Sequence, residues 1–163
     1  MAGRFRVVDT GVLEGRFNIA IDQAMIEEHQ AGRIPDTFRF MRFPPTALIG
    51  RHQALRQEVD VDHCRAHGIG IVRRITGGGA IYLDEGQLGW GLVFHRKALS
   101  ATCLAGLASD ICEAVAAGLR RLGVDARYRP RNDIEVDGRK ISGTGGFFDS
   151  PRCRCLSSPS SSA

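Results

Sequence analysis

The sequence predicts an α+β fold, a mixed and mostly antiparallel sheet with helices packed on one face. Short apolar stretches with a period of two alternate along the chain with segments that have a helical period. An Asp-Gly pair at 137–138, between alternating apolar residues, is the strongest short signal for a β-hairpin. Strands joined by hairpins and interrupted by helices are typical of α+β domains.

The composition limits the classes of function. The chain has 163 residues, which is the size of one domain. Its net charge of +4 is too small to favour nucleic-acid binding, but it suits an anionic nucleotide or an acidic protein partner. No apolar run approaches a membrane span, and the N-terminus lacks the apolar core of a signal peptide. Five cysteines without metal-type spacing are typical of a reducing compartment, so we expect a cytoplasmic protein.

Five short segments have the composition of strands. They lie at residues 5–8, 37–43, 47–50, 69–72 and 87–94. In the last of these, Leu88, Trp90, Leu92 and Phe94 share one face by the two-residue period. We therefore expect Trp90 to be a core residue rather than a stacking platform for a ligand.

Three segments have the pattern of helices. Residues 18–30 predict an amphipathic helix with Asn18 as its N-cap, and Asp22 within it is expected to be a solvated charge. Residues 61–67 predict a short helix with surface histidines. The longest helix, 102–122, has a continuous leucine-rich stripe that should cover one face of the sheet. Cys64, Cys103 and Cys112 are expected to be structural thiols in these helices.

The segment 73–82 has the composition of an anion-binding loop. Two arginines precede Ile-Thr and three consecutive glycines, and apolar runs on both sides predict strand, tight loop and strand. A glycine loop can adopt positive φ and approach a ligand closely, and its successive N–H groups form an anion-binding concavity. Arg73 and Arg74 add planar donors for phosphate or carboxylate. A glycine-rich hairpin with solvated arginines is the alternative, and the adjacent arginines modestly favour the anion site.

The segment 129–146 contains the Asp-Gly hairpin and a lysine just past its turn. Apolar residues on both sides of the turn imply short strands. Lys140 and Ser142 then lie on one face by the two-residue period. From this segment alone, Lys140 would be interpreted as an ordinary solvated lysine.

Together, the two segments resemble the catalytic domain of lipoate–protein ligases, within the biotin/lipoate ligase superfamily, and most of all lipoate–protein ligase A. The motifs that carry the resemblance are RRITGGGAIYLD and RNDIEVDGRKISGTG, and the segments 18–22 and 45–53 are also similar to this family. The resemblance implies a two-step reaction. The carboxylate of lipoic acid attacks the α-phosphate of ATP to give lipoyl-AMP and pyrophosphate, and a lysine amine on a carrier domain then attacks the mixed anhydride.

The resemblance also implies roles for individual residues. Lys140 would be catalytic, because it would hold the carboxylate and the α-phosphate together. Arg74 would contact the nucleotide phosphates, and Asp133 is a candidate ligand of Mg²⁺. The ATP and lipoyl-AMP site would comprise Arg74, Gly77, Gly78, Gly79, Ala80, Ile81, Tyr82, Asn132, Asp133, Lys140 and Gly143. The lipoate pocket would comprise Arg51, His52, Arg73 and Gly78.

The partners implied by the resemblance are proteins that carry lipoyl groups. They are the lipoyl domains of 2-oxoacid dehydrogenase acyltransferase subunits and the glycine cleavage H protein. A separate accessory-domain chain is a further candidate partner, whereas nucleic acid and membranes are not expected. Two positions depart from the family pattern, because Leu83 stands where histidine is frequent and Gln87 where asparagine is common.

Three other functions remain open. An octanoyltransferase of the same superfamily would move an acyl group from a carrier thioester without ATP, but some of these relatives have a cysteine ahead of the lysine hairpin. Here that region is Arg131-Asn132-Asp133, which favours the ligase. A biotin ligase is less similar, since its arginine-rich glycine loop differs from ITGGGA. The third is a non-catalytic fragment or binding module.

The composition changes near residue 150. Residues 150–163 are dominated by serine and proline and lack periodicity, so we expect a disordered tail after a catalytic domain at 1–149. In the family, a further strand and helices follow the lysine hairpin, so the domain is expected to be incomplete at this end. Truncation, a shifted reading frame and a second polypeptide are the three explanations left open.

Overall fold

Helices alternate with short strands in the computed structural model, which describes residues 4–95, 104–148 and 153–159. The helices are α1 (Gly15–Gln30), α2 (Leu55–Glu58), α3 (Val61–Ala66) and α4 (Leu104–Arg121). The strands are β1 (Arg6–Val12), β2 (Thr37–Arg42), β3 (Thr46–Ile49), β4 (Gly70–Arg73), β5 (Ile81–Leu83), β6 (Gly89–His95), β7 (Arg127–Arg129), β8 (Asp133–Val136), β9 (Arg139–Gly143), β10 (Gly145–Phe148) and β11 (Cys153–Pro159). Within the described residues, no helix is both long and apolar enough to cross a membrane.

The described strands form three sheets rather than one. The largest has the order β1-β2-β6-β11-β10, and the two smaller sheets have the orders β4-β3-β5 and β7-β8-β9. The pairs β1–β2 and β3–β4 are parallel, and the other pairs are antiparallel. This confirms the predicted α+β class with a mixed, mostly antiparallel arrangement.

Helices cover both faces of the five-stranded sheet, so the prediction of one covered face is wrong. On one face, Leu107 and Ile111 of α4 pack against Trp90, Leu92 and Phe94. On the other, Met25 and Ile26 of α1 pack against Val93. Neighbouring residues of a strand point to opposite faces, and β6 is apolar and buried on both, so each face needs a cover.

The second side of α4 supports the lysine hairpin. Cys112 and Ala116 of this helix form a buried cluster with Ala126 and with Ile134 of β8. The sheet β7-β8-β9 is thereby fixed on α4, which fixes the hairpin relative to the large sheet. The predicted leucine stripe ends before Leu122, which lies past the helix and is 80% exposed.

Helix α1 begins earlier than predicted, and Asn18 is not its N-cap. The helix starts at Gly15, so Asn18 lies inside its first turns and is fully buried. Its side-chain amide donates to Leu13 O at 2.9 Å and Arg42 O at 2.8 Å. The capping prediction was wrong because this amide binds the backbone carbonyl of Arg42 on β2. No local sequence pattern reveals that distant acceptor.

Strand β11 differs from the disordered tail predicted for 150–163. It lies between β6 and β10, pairing from Cys153↔His95 to Pro159↔Gly89 on one edge. A strand between two others forms ladder hydrogen bonds through its backbone on both edges, whatever its side-chain composition. Composition alone therefore gave the wrong prediction for residues 153–159. Residues 149–152 and 160–163 of that region lie outside the described residues.

Candidate active site

A cavity of about 730 Å³ lies between the glycine loop, the lysine hairpin and the large sheet. Most of its wall is apolar, formed by Ile19, Met41, Phe43, Leu48, Ile75, Ile81, Leu83 and Trp90. The polar side chains in its wall are Asp22, Arg74, Thr76, Tyr82, Gln87, Asn132, Lys140, Ser142 and Thr144. An apolar slot with a few convergent polar groups is the usual form of a small-molecule site, and it suits an apolar chain with an anionic end.

The glycine loop connects two strands that are not neighbours. Strand β3 lies between β4 and β5, so residues 74–80 cross over β3 instead of forming a tight hairpin. A Cβ on Gly50, just after β3, would lie 2.0 Å from Gly78 O. The close approach of the loop to β3 thus requires glycine at this position.

The Arg74 guanidinium holds the glycine loop through backbone carbonyls. Its Nη2 donates to Gly77 O at 2.8 Å and to Gly79 O at 2.9 Å. Partial burial lowers the pKa of this guanidinium. Gly78, between the two acceptors, has a φ of 104° and would place a Cβ only 2.6 Å from Nη2. The loop is therefore wound around the arginine.

The amides of the same loop are available to a ligand. Within the part of the chain that the structure describes, the N–H groups of Gly77, Gly78 and Gly79 donate no hydrogen bond. All three glycines are exposed and line the cavity. Carbonyls bound to Arg74 and free amides together make a loop that can accept an anion.

Lys140 lies at the cavity beside a carboxylate. Its Nζ is 2.8 Å from Asp133 Oδ1, and its side chain is 52% exposed. A Cβ on Gly143 would lie 2.9 Å from this Nζ, so the lysine passes over Gly143 to reach Asp133. Asp133 Oδ1 is buried and accepts no hydrogen bond of regular geometry from the described residues. We therefore treat the contact as an ion pair, in which charge rather than a directed hydrogen bond joins the two groups.

Asn132 fixes the end of the lysine hairpin through hydrogen bonds to Thr144. Its Nδ2 donates to Thr144 O, and Thr144 N donates back to Asn132 O at 2.9 Å. The preceding residue, Arg131, has a φ of 97°, a conformation that a side chain disfavours. This strained residue turns the chain into β8 so that Asn132 faces the cavity.

Asp22 lies in the cavity wall as half of a buried ion pair. Its Oδ1 is 2.7 Å from Arg39 Nη1, and neither side chain is more than 7% exposed. Burial raises the pKa of Asp22 to about 6, although the charge and hydrogen bond of Arg39 oppose this rise. The expectation that Asp22 is a solvated charge is thus wrong. The helical pattern around Asp22 did not reveal that Arg39 of β2 points into the protein.

Residues 14–153 match the family model of the lipoyl protein ligase A/B catalytic domain. The protein is a member of this family. Among its relatives is the octanoyltransferase LipM of Moorella thermoacetica, 34% identical over 154 residues that cover 92% of this chain and 54% of the relative. The chain spans about half the length of the curated relatives that it matches.

Solved structures of the family have the same fold. The bipartite lipoate protein ligase of Thermoplasma acidophilum, studied with its E2 lipoyl domain, gives a TM-score of 0.85 at 27% identity. The match covers 97% of this chain and 61% of that one. A lipoate-protein ligase A bound with ATP gives 0.84 at 29% identity, with 98% and 66% covered.

Most of the residues that the sequence predicts for the site line the cavity. Those that line the cavity are Arg74, Gly77, Gly78, Gly79, Ile81, Tyr82, Asn132, Lys140 and Gly143. Ala80 does not line it, and Asp133 contacts it through Lys140. Arg51 and His52 lie in an exposed turn outside the cavity. Arg73 points away, since its Nη1 donates to the carbonyls of Gly50, Arg51 and Gln53.

Thr76 is a cavity residue that the sequence reasoning missed. Its hydroxyl is buried and has no hydrogen-bond partner among the described residues. The signal was present in the sequence, since Thr76 directly precedes the three glycines. A hydroxyl directly before an anion-binding glycine loop is a signal that could have identified Thr76.

The described cysteine side chains lie outside the cavity. Cys64 and Cys112 are free and buried, and neither lines the cavity wall. Burial raises the pKa of Cys112, so its thiolate is disfavoured. These two are structural thiols, as predicted, while Cys103 lies outside the described residues.

Proposed function

We propose that this chain catalyses the ATP-dependent ligation of lipoic acid to a lysine of lipoyl carrier domains. In the first step, a carboxylate oxygen of lipoic acid attacks the α-phosphorus of ATP, and pyrophosphate leaves. In the second, the amine of the acceptor lysine attacks the acyl carbon of lipoyl-AMP, AMP leaves, and the amine loses a proton. The observation that carries the proposal is the juxtaposition of Lys140, the free glycine amides and an apolar slot in one cavity.

The chemistry of the first step requires two anions to meet. Cations and N–H donors placed where charge develops supply most of the stabilisation that such a transfer needs. Lys140 would hold the carboxylate and the α-phosphate together, and the amides of Gly77, Gly78 and Gly79 would bind phosphate oxygens. Arg74, which lines the cavity, would contact the phosphates as well. The apolar wall would bury the acyl chain, at about 0.8 kcal/mol for each methylene.

Magnesium would enter with the nucleotide rather than bind to the protein alone. No group of three metal-ligating side chains occurs among the described residues, and Asp133 is already paired with Lys140. Magnesium often binds mainly through substrate phosphates, so we propose that the phosphates hold it while Asp133, the candidate ligand from the sequence, stays paired with a side-chain cation. The bound magnesium would partly neutralise the negative charge of the phosphates.

The acceptors that we propose are lipoyl domains of 2-oxoacid dehydrogenase acyltransferase subunits and the glycine cleavage H protein. Both present a lysine on a folded domain, and the mild positive charge of this chain suits an acidic partner. The Thermoplasma ligase is bipartite, which favours a second chain as a further partner in this protein as well.

Octanoyl transfer is the second candidate, favoured by the similarity to LipM. The resemblance implies a cysteine ahead of the lysine hairpin for some octanoyltransferases of the superfamily. In this chain the region contains Arg131, Asn132 and Asp133, and neither Cys64 nor Cys112 reaches the cavity. The absence of a thiol among the described cavity residues favours the ligase.

The experiment is ATP–pyrophosphate exchange with and without lipoic acid. We expect exchange that depends on lipoic acid, and we expect Lys140→Ala to reduce it by about 100-fold or more. The free energy of unfolding of this variant should change by no more than about 1 kcal/mol, because the lysine is half exposed. Arg139→Ala is the matched control, since it removes the neighbouring exposed cation of the same hairpin and should leave the exchange unchanged.

Two results would contradict the ligase. One is the absence of lipoate-dependent exchange in the folded wild-type chain. The other is equal exchange in wild type and Lys140→Ala. Acyl transfer from an octanoyl carrier thioester without ATP would instead establish the second candidate, and mass spectrometry of a lipoyl domain would detect it directly.

A further inference from the structure

In the proposed reaction the Lys140 ammonium pairs with the Asp133 carboxylate at rest and must then bind the substrate anions. At rest it lies 2.8 Å from Asp133 Oδ1, and it is the only cationic group within ion-pair distance of that carboxylate in the described part of the chain. Turning toward the substrate anions would remove this charge from a buried oxygen that accepts no regular hydrogen bond. Breaking such a pair on one side is costly unless another cation replaces the one that leaves, because a buried charge is otherwise left without compensation.

Strand β7 presents a second cation directly opposite Asp133. The antiparallel register pairs Arg129 with Asp133, while Tyr128 pairs with Ile134 and packs on α4. Arg129 and Asp133 therefore share the face that is turned away from α4. Side chains directly opposite each other in an antiparallel pair have Cβ atoms about 5 Å apart, well within the reach of an arginine.

The present partner of Arg129 is weakly held. Its Nη1 is 3.8 Å from Glu135 Oε2, and its side chain is 51% exposed. Ion pairs of this kind contribute little to stability, so leaving Glu135 has little cost. On the other side of Asp133, the register places Gly143, which has no side chain to compete.

We propose that Arg129 is a positioning residue, which moves from Glu135 to Asp133 when Lys140 turns to the substrate. The inference rests on the proposed function of Lys140. Arg129 does not touch the substrate. It keeps Asp133 compensated, and this lowers the cost of releasing the lysine for the reaction.

Arg127 is a matched control on the same strand. It has the same side chain and lies on the same face, but it is opposite Glu135 rather than Asp133. It already has a partner, since its Nη2 is 2.9 Å from Asp125 Oδ2. Any effect of general positive charge on this face should appear equally for Arg127 and Arg129.

The test is a double-mutant cycle on the unfolding equilibrium, in which Lys140→Ala imitates the departure of the lysine. The two single changes, Lys140→Ala and Arg129→Ala, should each have a small effect. The double variant should have an unfolding constant about tenfold above the product of the single effects, which is about 1.4 kcal/mol. Arg127→Ala with Lys140→Ala should combine within about twofold of that product, as independent sites do.

A third change identifies the shared group. In an Asp133→Asn background, the coupling between Arg129 and Lys140 should disappear, because the carboxylate with which both cations would pair is gone. Independent effects of Arg129 and Lys140 with Asp133 intact would overturn the proposal. So would an equal coupling for Arg127.

The kinetics distinguish a positioning role from a structural one. Arg129→Ala should lower kcat of pyrophosphate exchange about fivefold and leave KM for ATP and lipoic acid unchanged, since it affects only the release of Lys140. Arg129→Lys should restore the rate, and Arg127→Ala should not lower it. A raised KM with unchanged kcat would overturn the role by identifying Arg129 as a substrate contact. An inactive wild-type chain would contradict the proposed function, and the cycle would still decide whether Arg129 replaces Lys140.

Discussion

Two ion pairs border the cavity with nearly equal distances and different surroundings. Asp22 Oδ1 lies 2.7 Å from Arg39 Nη1, and Asp133 Oδ1 lies 2.8 Å from Lys140 Nζ. In the first pair both side chains are buried, whereas the lysine of the second is half exposed. The separation of the charges therefore says little about what each pair does.

The number of additional partners separates the two pairs. Arg39 also donates to Thr10 Oγ1 at 2.9 Å and to Asn18 O at 3.0 Å, so its charge is fixed on several sides. Among the described residues, the ammonium of Lys140 pairs with Asp133 alone. A cation with one partner and access to solvent can turn to a substrate, while a fully bonded buried cation supports the wall.

The largest effect is expected when the buried pair of Asp22 and Arg39 is broken. Arg39→Met should lower the free energy of unfolding by about 3–5 kcal/mol, because it leaves Asp22 buried without its cation. Urea unfolding at pH 7 measures the change. Arg42→Met, on the exposed side of the same strand, is the control and should stay within about 0.5 kcal/mol of wild type. Equal effects of the two variants would show that the buried pair has no special role.

The pH dependence of stability sharpens the comparison. Burial raises the pKa of Asp22 to about 6, above the value of 3.8 for a free aspartate. The folded state therefore binds this proton more tightly than the unfolded state, so the contribution is full below about pH 4 and lost as pH rises through 6. Asp22→Asn should remove a fall in the free energy of unfolding of about 3 kcal/mol between these pH values. Urea unfolding across pH 4–7 measures it, with Asp62→Asn at an exposed position as the control.

The smallest effect on stability is expected at the half-exposed pair of Lys140 and Asp133. In Gly143→Ala the new Cβ would lie 2.9 Å from Lys140 Nζ, and a flexible side-chain end can move away. The free energy of unfolding should change by less than about 1 kcal/mol, while displacement of Lys140 should reduce pyrophosphate exchange about 100-fold. Gly118→Ala on α4, where a Cβ meets nothing within 4 Å, should leave the rate unchanged. A large loss of stability in Gly143→Ala with normal exchange would contradict this arrangement.

Local patterns predicted most helices and strands of this fold. They failed where a strand that is distant in the sequence determines the pairing of a segment. The Asp-Gly turn gave the hairpin of β8 and β9 correctly, since turn and strands lie within a few residues. The glycine loop was predicted as a tight loop between two strands with a hairpin as the alternative, and the hairpin is wrong because β3 lies between β4 and β5. Strand β11 was missed because its stabilisation comes from the backbones of β6 and β10.

The adjacent arginines show the same limit within the site. Arg73 and Arg74 were both assigned to ligand contacts, yet successive residues at the end of a strand point in opposite directions. Arg74 holds the glycine loop at the cavity, and Arg73 holds the turn that follows β3. Their side-chain type was correctly interpreted, but the direction of each required the strand.

The sequence by itself determined the family motifs, the lysine hairpin and the glycine loop, because each depends on residues that are close along the chain. Only the tertiary structure decided that Asp22 is buried against Arg39, that Arg129 stands opposite Asp133, and that Thr76 has an unpartnered hydroxyl in the cavity. Burial and pairing are properties of segments brought together from distant positions. A charge acquires its role from those neighbours rather than from its place in the sequence.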